Sequence, residues 1–435
     1  MSARKTILQG TLILTAVGFL CRFMGFFYRI FLSHTFGEEN VGLYQLTFPV
    51  FALCISFTSA GLETAISRTV ARKQSLHQPR EASETLFISC LLSVITMIIL
   101  QKNAADLSTA LLGDPRCEEI LILLSYALPL SSIHGCIMGY CYGLKQTQIP
   151  AVSQLIEQTA RILSVFCLYR FAIRNGLHAD ISIAAAGIAF GELFSTFYSV
   201  RGLQKSRSDI FRPGFSFSSI RLRFRELVPL SLPLTANRVL LGLLQGIEAV
   251  SIPGCLKLYN HSTSEALSTY GVLTGMALPC ILFPSAITNS VSIMLMPTVA
   301  ELQVKDQASG IRKLLQKVLG SCFLMGLFCC LFFLFFGQLI GQFLFASDLA
   351  GNFIITLAWI CPFLYVNGSL LSVLNGFGKT TTSFTINMVG LAIRIGSVFF
   401  AIPVFGIQGY LWGLLISQLA VSICCSVVLK HLISA

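Results

Sequence analysis

Runs of about 20 apolar residues recur from one end of this 435-residue chain to the other, and a helix of that length crosses about 30 Å of hydrocarbon. In lipid every backbone N–H and C=O must be paired within the protein, which leaves only helices or a closed barrel. Continuous apolarity without alternation selects the helix. Most of the chain therefore has lipid as its solvent: 54% of residues are hydrophobic and 11% charged, against about 25% charged in a soluble domain. No room remains for a sizeable soluble domain.

The predicted spans are Ile7 to Leu32, Val41 to Val70, Thr85 to Leu100, Ile120 to Leu144, Ile149 to Ala172 and Ile181 to Val200, then Leu227 to Ile252, Ala266 to Val299, Val318 to Phe336, Phe353 to Phe377, Thr381 to Val404 and Ile407 to Leu429. Arg4 and Lys5 precede the first span and no small-residue cleavage site follows it, so the first helix is expected to be retained. Lys and Arg alternate between loops. Arg80, Lys145, Arg201, Lys205, Arg207, Arg212, Lys305, Arg312 and Lys379 are among those on one side, and few, such as Lys102, Arg116 and Lys257, lie on the other. The bias, about four to one, sets the richer side as cytoplasmic and places both termini there, in a multi-pass protein of the cell membrane. The net charge of +11 is spread over these loops and forms no single basic face with interleaved aromatics, which argues against nucleic acid. The fifteen Cys lie mostly within apolar runs, where a thiol behaves as a small hydrophobe.

An internal repeat organises the spans. Arg161-Ile-Leu-Ser-Val-Phe166 matches Arg394-Ile-Gly-Ser-Val-Phe399, and at the same offset Pro129, Gly135 and Gly143 match Pro362, Gly368 and Gly376. At nearby offsets Tyr44, Ser59 and Ala60 match Tyr270, Ser285 and Ala286, while Gly187, Gly191 and Ser195 match Gly409, Gly413 and Ser417. A repeat of six spans enters the membrane from the same side each time, which makes the halves parallel repeats with a substrate site expected between them. The fold class expected is all-α, a polytopic membrane protein of about twelve transmembrane helices in two pseudo-symmetric six-helix lobes around a central cavity. Residues 1–200 form the N-terminal lobe, 201–225 a basic cytoplasmic linker and 226–435 the C-terminal lobe.

An ionisable side chain near mid-membrane costs roughly 2.5 to 3.5 kcal/mol on insertion scales, so it faces a cavity or a partner. Arg22 and Arg29 are seven residues apart, two helical turns, and share a face of the first span. Arg238 lies in the seventh span, the counterpart of the first. We read Arg22, Arg29 and Arg238, with Arg394, as a cationic lining for an anionic headgroup such as a pyrophosphate, which a guanidinium fork grips bidentately. The alternative is structural: Arg29 snorkels to the outer interface and Arg22 pairs with a carboxylate. Arg161 follows Glu157 by one turn, the favourable order for a helical ion pair, whereas Arg394 has Gly390 at the equivalent place. Glu63, Glu192 and Glu248 serve either as ion-pair partners or as coupling sites, and Glu248 is a candidate outer-gate partner for Arg29.

No enzyme chemistry is legible. Asn375-Gly-Phe-Gly-Lys-Thr-Thr381 ends like a phosphate-binding loop, but Val373 stands where the first glycine is needed and no strand precedes it. The six His, with His134 alone in the fourth span, form no ligand cluster. No cofactor, metal or catalytic residue is expected.

The run Gly10-Thr-Leu-Ile-Leu-Thr-Ala-Val-Gly-Phe-Leu-Cys-Arg22-Phe-Met-Gly-Phe-Phe-Tyr-Arg29-Ile-Phe-Leu-Ser33, continued by Gly42-Leu-Tyr-Gln-Leu46 and Ser59-Ala-Gly-Leu-Glu-Thr-Ala-Ile-Ser-Arg68, resembles the stage V sporulation protein B family. That family belongs to the polysaccharide exporters and lipid-linked oligosaccharide flippases, related to the lipid II flippase and to the multidrug and toxic compound extrusion transporters. The resemblance implies alternating access for an undecaprenyl-pyrophosphate-linked saccharide, lipid II or a polysaccharide precursor, used in cell-wall, spore-cortex or polysaccharide synthesis. It also implies that Arg22 and Arg29 correspond to cavity arginines of the lipid II flippase, at a spacing one residue longer. Members usually have fourteen helices, against the twelve read here. The expected partners are the lipid-linked anionic saccharide and membrane lipids, with the protein a monomer and cell-wall synthesis enzymes its candidate associates. A cation-coupled drug exporter of the same fold and a non-transporting assembly scaffold are the competing functions, and a membrane-embedded transferase is the enzymatic one.

Overall fold

A computed structural model describes residues 3–75, 83–205, 217–259, 262–304 and 308–434 of the chain, and contains no strand among them. The linker residues 206–216, with Arg207 and Arg212, and the loop cations Arg80 and Lys305 lie outside the described residues.

Helix α1 (Ala3–Ile55) is interrupted at Gly37, whose φ of 78° and ψ of 172° only glycine adopts readily. Its second part runs through a π turn at Ser56–Ala60 into α2 (Gly61–Ser75). Leu12–Ala71 is thus 60 residues of apolar helix, about 90 Å long, and the break at Gly37 divides it into two crossings. In chain order there follow α3 (Ser83–Lys102), α4 (Cys117–Ser125), α5 (Ala127–Gly143), α6 (Gln148–Arg174), α7 (Ser182–Lys205) and α8 (Phe217–Leu258). The remainder comprises α9 (Thr263–Gly271), α10 (Leu278–Leu282), α11 (Ser285–Val304), α12 (Ala308–Phe345), α13 (Asp348–Ala358), α14 (Cys361–Gly376), α15 (Thr380–Gly396) and α16 (Ile407–Ser434).

Among the described residues nine helices are long and apolar enough to cross a membrane, or ten with the bent pair α13 and α14 taken as one span. The doubled first helix and the more polar α6, 27 residues long, account for the remaining crossings of a protein of about twelve spans. The chain is a multi-pass membrane protein. Matched prolines mark the broken spans: α5 starts two residues before Pro129 and α14 one residue before Pro362, after a bend of 57° from α13. Proline is tolerated in the first turn, where its missing N–H has no helical acceptor.

Two compact units are formed, Met1–Tyr28 with Leu43–Gly246, and Arg29–Gly42 with Ile247–Ala435. Both α1 and α8 therefore contribute to each unit. In the first, glycines allow helices to touch backbone to backbone. A Cβ on Gly191 of α7 would stand 2.9 Å from the Glu157 carbonyl oxygen of α6, and one on Gly139 of α5 would stand 2.4 Å from that of Glu63 in α2. In the second unit the repeat reappears as packing. A Cβ on Gly143 would meet the Ser67 carbonyl oxygen and Val70 Cβ, and one on Gly376 would meet the Met296 carbonyl oxygen and Val299 Cβ. This pairing sets Ser67 of α2 and Met296 of α11 three residues further apart in sequence than Tyr44 and Tyr270.

Candidate functional site

The close approach of α7 to α6 at Gly187 and Gly191 brings the next residue, Glu192, into the interior beside α5. There it meets His134. The imidazole Nδ1 lies 3.2 Å from Glu192 Oε2 and 3.4 Å from Ser195 Oγ, while Nε2 lies 3.2 Å from Ser153 Oγ of α6. His134 is 7% exposed and Glu192 8%. One turn along α6, Glu157 accepts from Arg161 Nη2. Buried polar groups are costly unless hydrogen-bonded, and both ring nitrogens of His134 find partners on the two neighbouring helices α6 and α7.

Glu63 of α2 is half-buried, beneath the glycine face of α5, and within electrostatic range of both His134 and Arg238. Arg238, exposed on α8, donates to Thr64 Oγ1 at 3.4 Å. Arg22 is exposed on α1, with no ion pair to it among the described residues. The first unit thus holds Arg22, Arg238, Glu63, Glu157, Arg161 and Glu192.

Arg29, Glu248 and Arg394 belong to the second unit. Arg29 Nη1 donates to the Thr274 carbonyl at 3.2 Å, within the π turn, where the backbone departs from the regular helical bonding pattern. Glu248, 5% exposed, accepts from Arg394 Nη2 at 2.8 Å and from the Tyr410 hydroxyl at 2.7 Å. Glu248 pairs with Arg394 rather than with Arg29, and Arg394 meets a carboxylate rather than a cavity, because α15 and α16 bring Arg394 and Tyr410 to one spot on α8.

His134 is not alone, as it stands in the sequence. Its partners are 19 and 58 residues away, beyond any local spacing rule. The repeat held a signal all the same: at the matching position is Asn367, whose Nδ2 donates to the Gln418 carbonyl at 3.0 Å and to Gln418 Oε1 at 2.7 Å. A polar residue at this place in both halves points to a shared tie between the fourth and sixth spans of each. The ligand atoms of His134, Glu157 and Glu192 lie within 4.8 Å of one another. With both ring nitrogens hydrogen-bonded and Glu157 held by Arg161, the arrangement suits a proton better than a metal ion.

A model of the family described as "Polysaccharide biosynthesis protein" matches residues 7–303. Stage V sporulation protein B of Bacillus subtilis (strain 168) is 28% identical over 415 residues, covering 94% of this chain and 80% of that protein. Among solved structures, the lipid II flippase MurJ in an inward closed conformation superposes with a TM-score of 0.75 at 12% identity, over 96% of this chain and 87% of that one. A multidrug resistance MATE family transporter of the MOP superfamily, inward-facing, superposes with a TM-score of 0.70 at 14% identity, over 99% and 98%. These two likenesses are of fold.

Proposed function

The chain belongs to the polysaccharide biosynthesis protein family, and from that premise we propose that it is a flippase moving an anionic lipid-linked saccharide across the cytoplasmic membrane by alternating access. The structural relatives above are a flippase and a transporter, not enzymes. The observation that carries the proposal is Arg22, a guanidinium exposed on a membrane-spanning helix. Left in hydrocarbon it would cost roughly 2.5 to 3.5 kcal/mol; on a water-filled path it costs little and attracts phosphate. Arg238, exposed in the same unit, adds a second cation. Arg394 has its charge met by Glu248, so its part is to brace rather than to bind.

In this scheme the halves 1–200 and 226–435, joined by the basic linker 201–225, are the bodies that rock, and both termini are cytoplasmic. An undecaprenyl-pyrophosphate sugar is the cargo, and one chain is the working unit. A second possibility, cation-coupled drug export, is favoured by the buried carboxylates of the first unit, since cationic drugs call for carboxylates rather than arginines.

Flipping of fluorescent lipid II and of a simpler undecaprenyl-pyrophosphate sugar in proteoliposomes tests the proposal, with Arg22→Ala and Arg238→Ala beside the wild type. Loss of flipping by tenfold or more in both folded variants supports it. No flipping above empty liposomes, together with efflux of a cationic dye, would transfer the assignment to drug export.

A further inference from the structure

We propose that His134, Glu192 and Glu63 form a proton-binding site that couples proton movement to transport; the coupling rests on the transport function proposed above, whereas the proton binding does not. Three observations support it. The first is charge. Arg161 donates to Glu157 and lies within electrostatic range of Glu192, but the hydrogen-bonding partner of the buried Glu192 carboxylate is an imidazole whose charge depends on one proton. Histidine is the side chain that takes and releases a proton nearest neutrality.

The second is the comparison between halves. The second half has Asn367 where the first has His134, Gly390 where it has Glu157, and Leu414 where it has Glu192. Asn367 makes its tie to the sixth span with neutral groups, donating to Gln418 and accepting from Ser422 Oγ at 2.5 Å. The helix arrangement therefore does not require ionisable residues here. A buried carboxylate and an imidazole are costly as mere glue, and at these matched positions only the first half carries them.

The third is connection. The charged and titratable groups around His134 are Glu192 from α7, Glu157 with Arg161 from α6, and Glu63 from α2. Glu63 is also within electrostatic range of Arg238 on α8. A proton on the imidazole and an anionic headgroup at Arg238 thus both act on the Glu63 carboxylate. Whatever protonation does to headgroup affinity, headgroup binding must do in equal measure to proton affinity. No bond to carbon and no electron is moved: a proton passes from water to an imidazole nitrogen and returns to water on the other side of the cycle.

Two measurements test this on the full chain. Nitrogen-15 spectra of the detergent-solubilised protein resolve its six histidines, and His134→Asn, the residue the second half uses, identifies the signal. That signal should change with pH, and Glu192→Gln should move its midpoint. In proteoliposomes an imposed pH gradient should change the wild-type flipping rate at least threefold, and His134→Asn should bring that ratio to one. A His134 signal that does not titrate, or a flipping rate indifferent to the gradient, overturns the site while leaving the flippase standing. Stimulation by sodium or a divalent cation in place of pH overturns it in favour of a metal ion. A titrating His134 in a protein that flips no lipid upholds the proton binding and overturns the flippase, and the coupling with it.

Discussion

Arg394 reaches Glu248 across 146 residues of sequence, donating at 2.8 Å, and the Tyr410 hydroxyl takes the second carboxylate oxygen at 2.7 Å. Three helices, α8, α15 and α16, are pinned at this point. Removing one partner strands the other charge in a low-dielectric interior, which costs about 3 kcal/mol or more. Arg394→Leu should accordingly lower the thermal unfolding temperature in detergent more than Tyr410→Phe, which forfeits about 1 kcal/mol. The double variant Arg394→Met with Glu248→Leu should recover most of the loss, because no unpaired charge remains.

The glycine pair Gly143 and Gly376 makes a matched prediction. A Cβ at either position would stand 2.8 Å from a neighbouring helix's carbonyl oxygen, that of Ser67 or Met296. Each Gly→Ala change should cost about 1 to 3 kcal/mol by forcing helices apart. Near-equal shifts in unfolding temperature are expected, and a large inequality would show that the two halves do not pack alike at this depth.

Gly37 is a different case, since nothing lies within 4 Å of its missing Cβ. Its cost on substitution is conformational alone: Gly37→Ala must hold a φ near 78°, at about 1 to 3 kcal/mol. Loss of stability without altered helix content in circular dichroism is the expected outcome.

Arg161 and Glu157 should behave as a coupled pair. Arg161→Gln leaves the half-buried Glu157 without its cation, and Glu157→Gln leaves the reverse; the double variant should be more stable than the sum of the singles predicts, by about 0.5 to 3 kcal/mol. Additive effects would mean that the two side chains act separately in the membrane.

For the cargo arginines, the geometry of the guanidinium matters as well as its charge. Arg22→Lys should flip lipid at a rate between wild type and Arg22→Ala, because an ammonium keeps the attraction but loses the bidentate grip. Initial rates in proteoliposomes decide this, and full activity in Arg22→Lys would reduce the role to charge alone.

How much was legible beforehand depended on how local the cause was. The spans were legible because a helix in lipid satisfies its backbone bonds from within, so its apolar run records it directly. The repeat at Arg161 and Arg394 was legible because both copies kept residues at one spacing, and the breaks at Pro129 and Pro362 follow from a rule about one residue. The Glu157 and Arg161 spacing is likewise a property of one helix. Glu248 was harder. Its nearness to Arg394 depends on how α15 lies against α8, for which the sequence has no period to read.

What this sequence determined by itself is therefore the solvent, the number and order of crossings, the doubling of a six-span unit and the family resemblance, all of them consequences of neighbours along the chain. What only the tertiary structure decided is which charges meet. It took His134 from an isolated residue to the centre of a cluster with Glu192 and Ser153, and gave Glu248 to Arg394 and Tyr410. The physical reason is that an ion pair in a low-dielectric interior is set by distances of about 3 Å between helices, and those distances are fixed by where glycines such as Gly191 let one helix touch another.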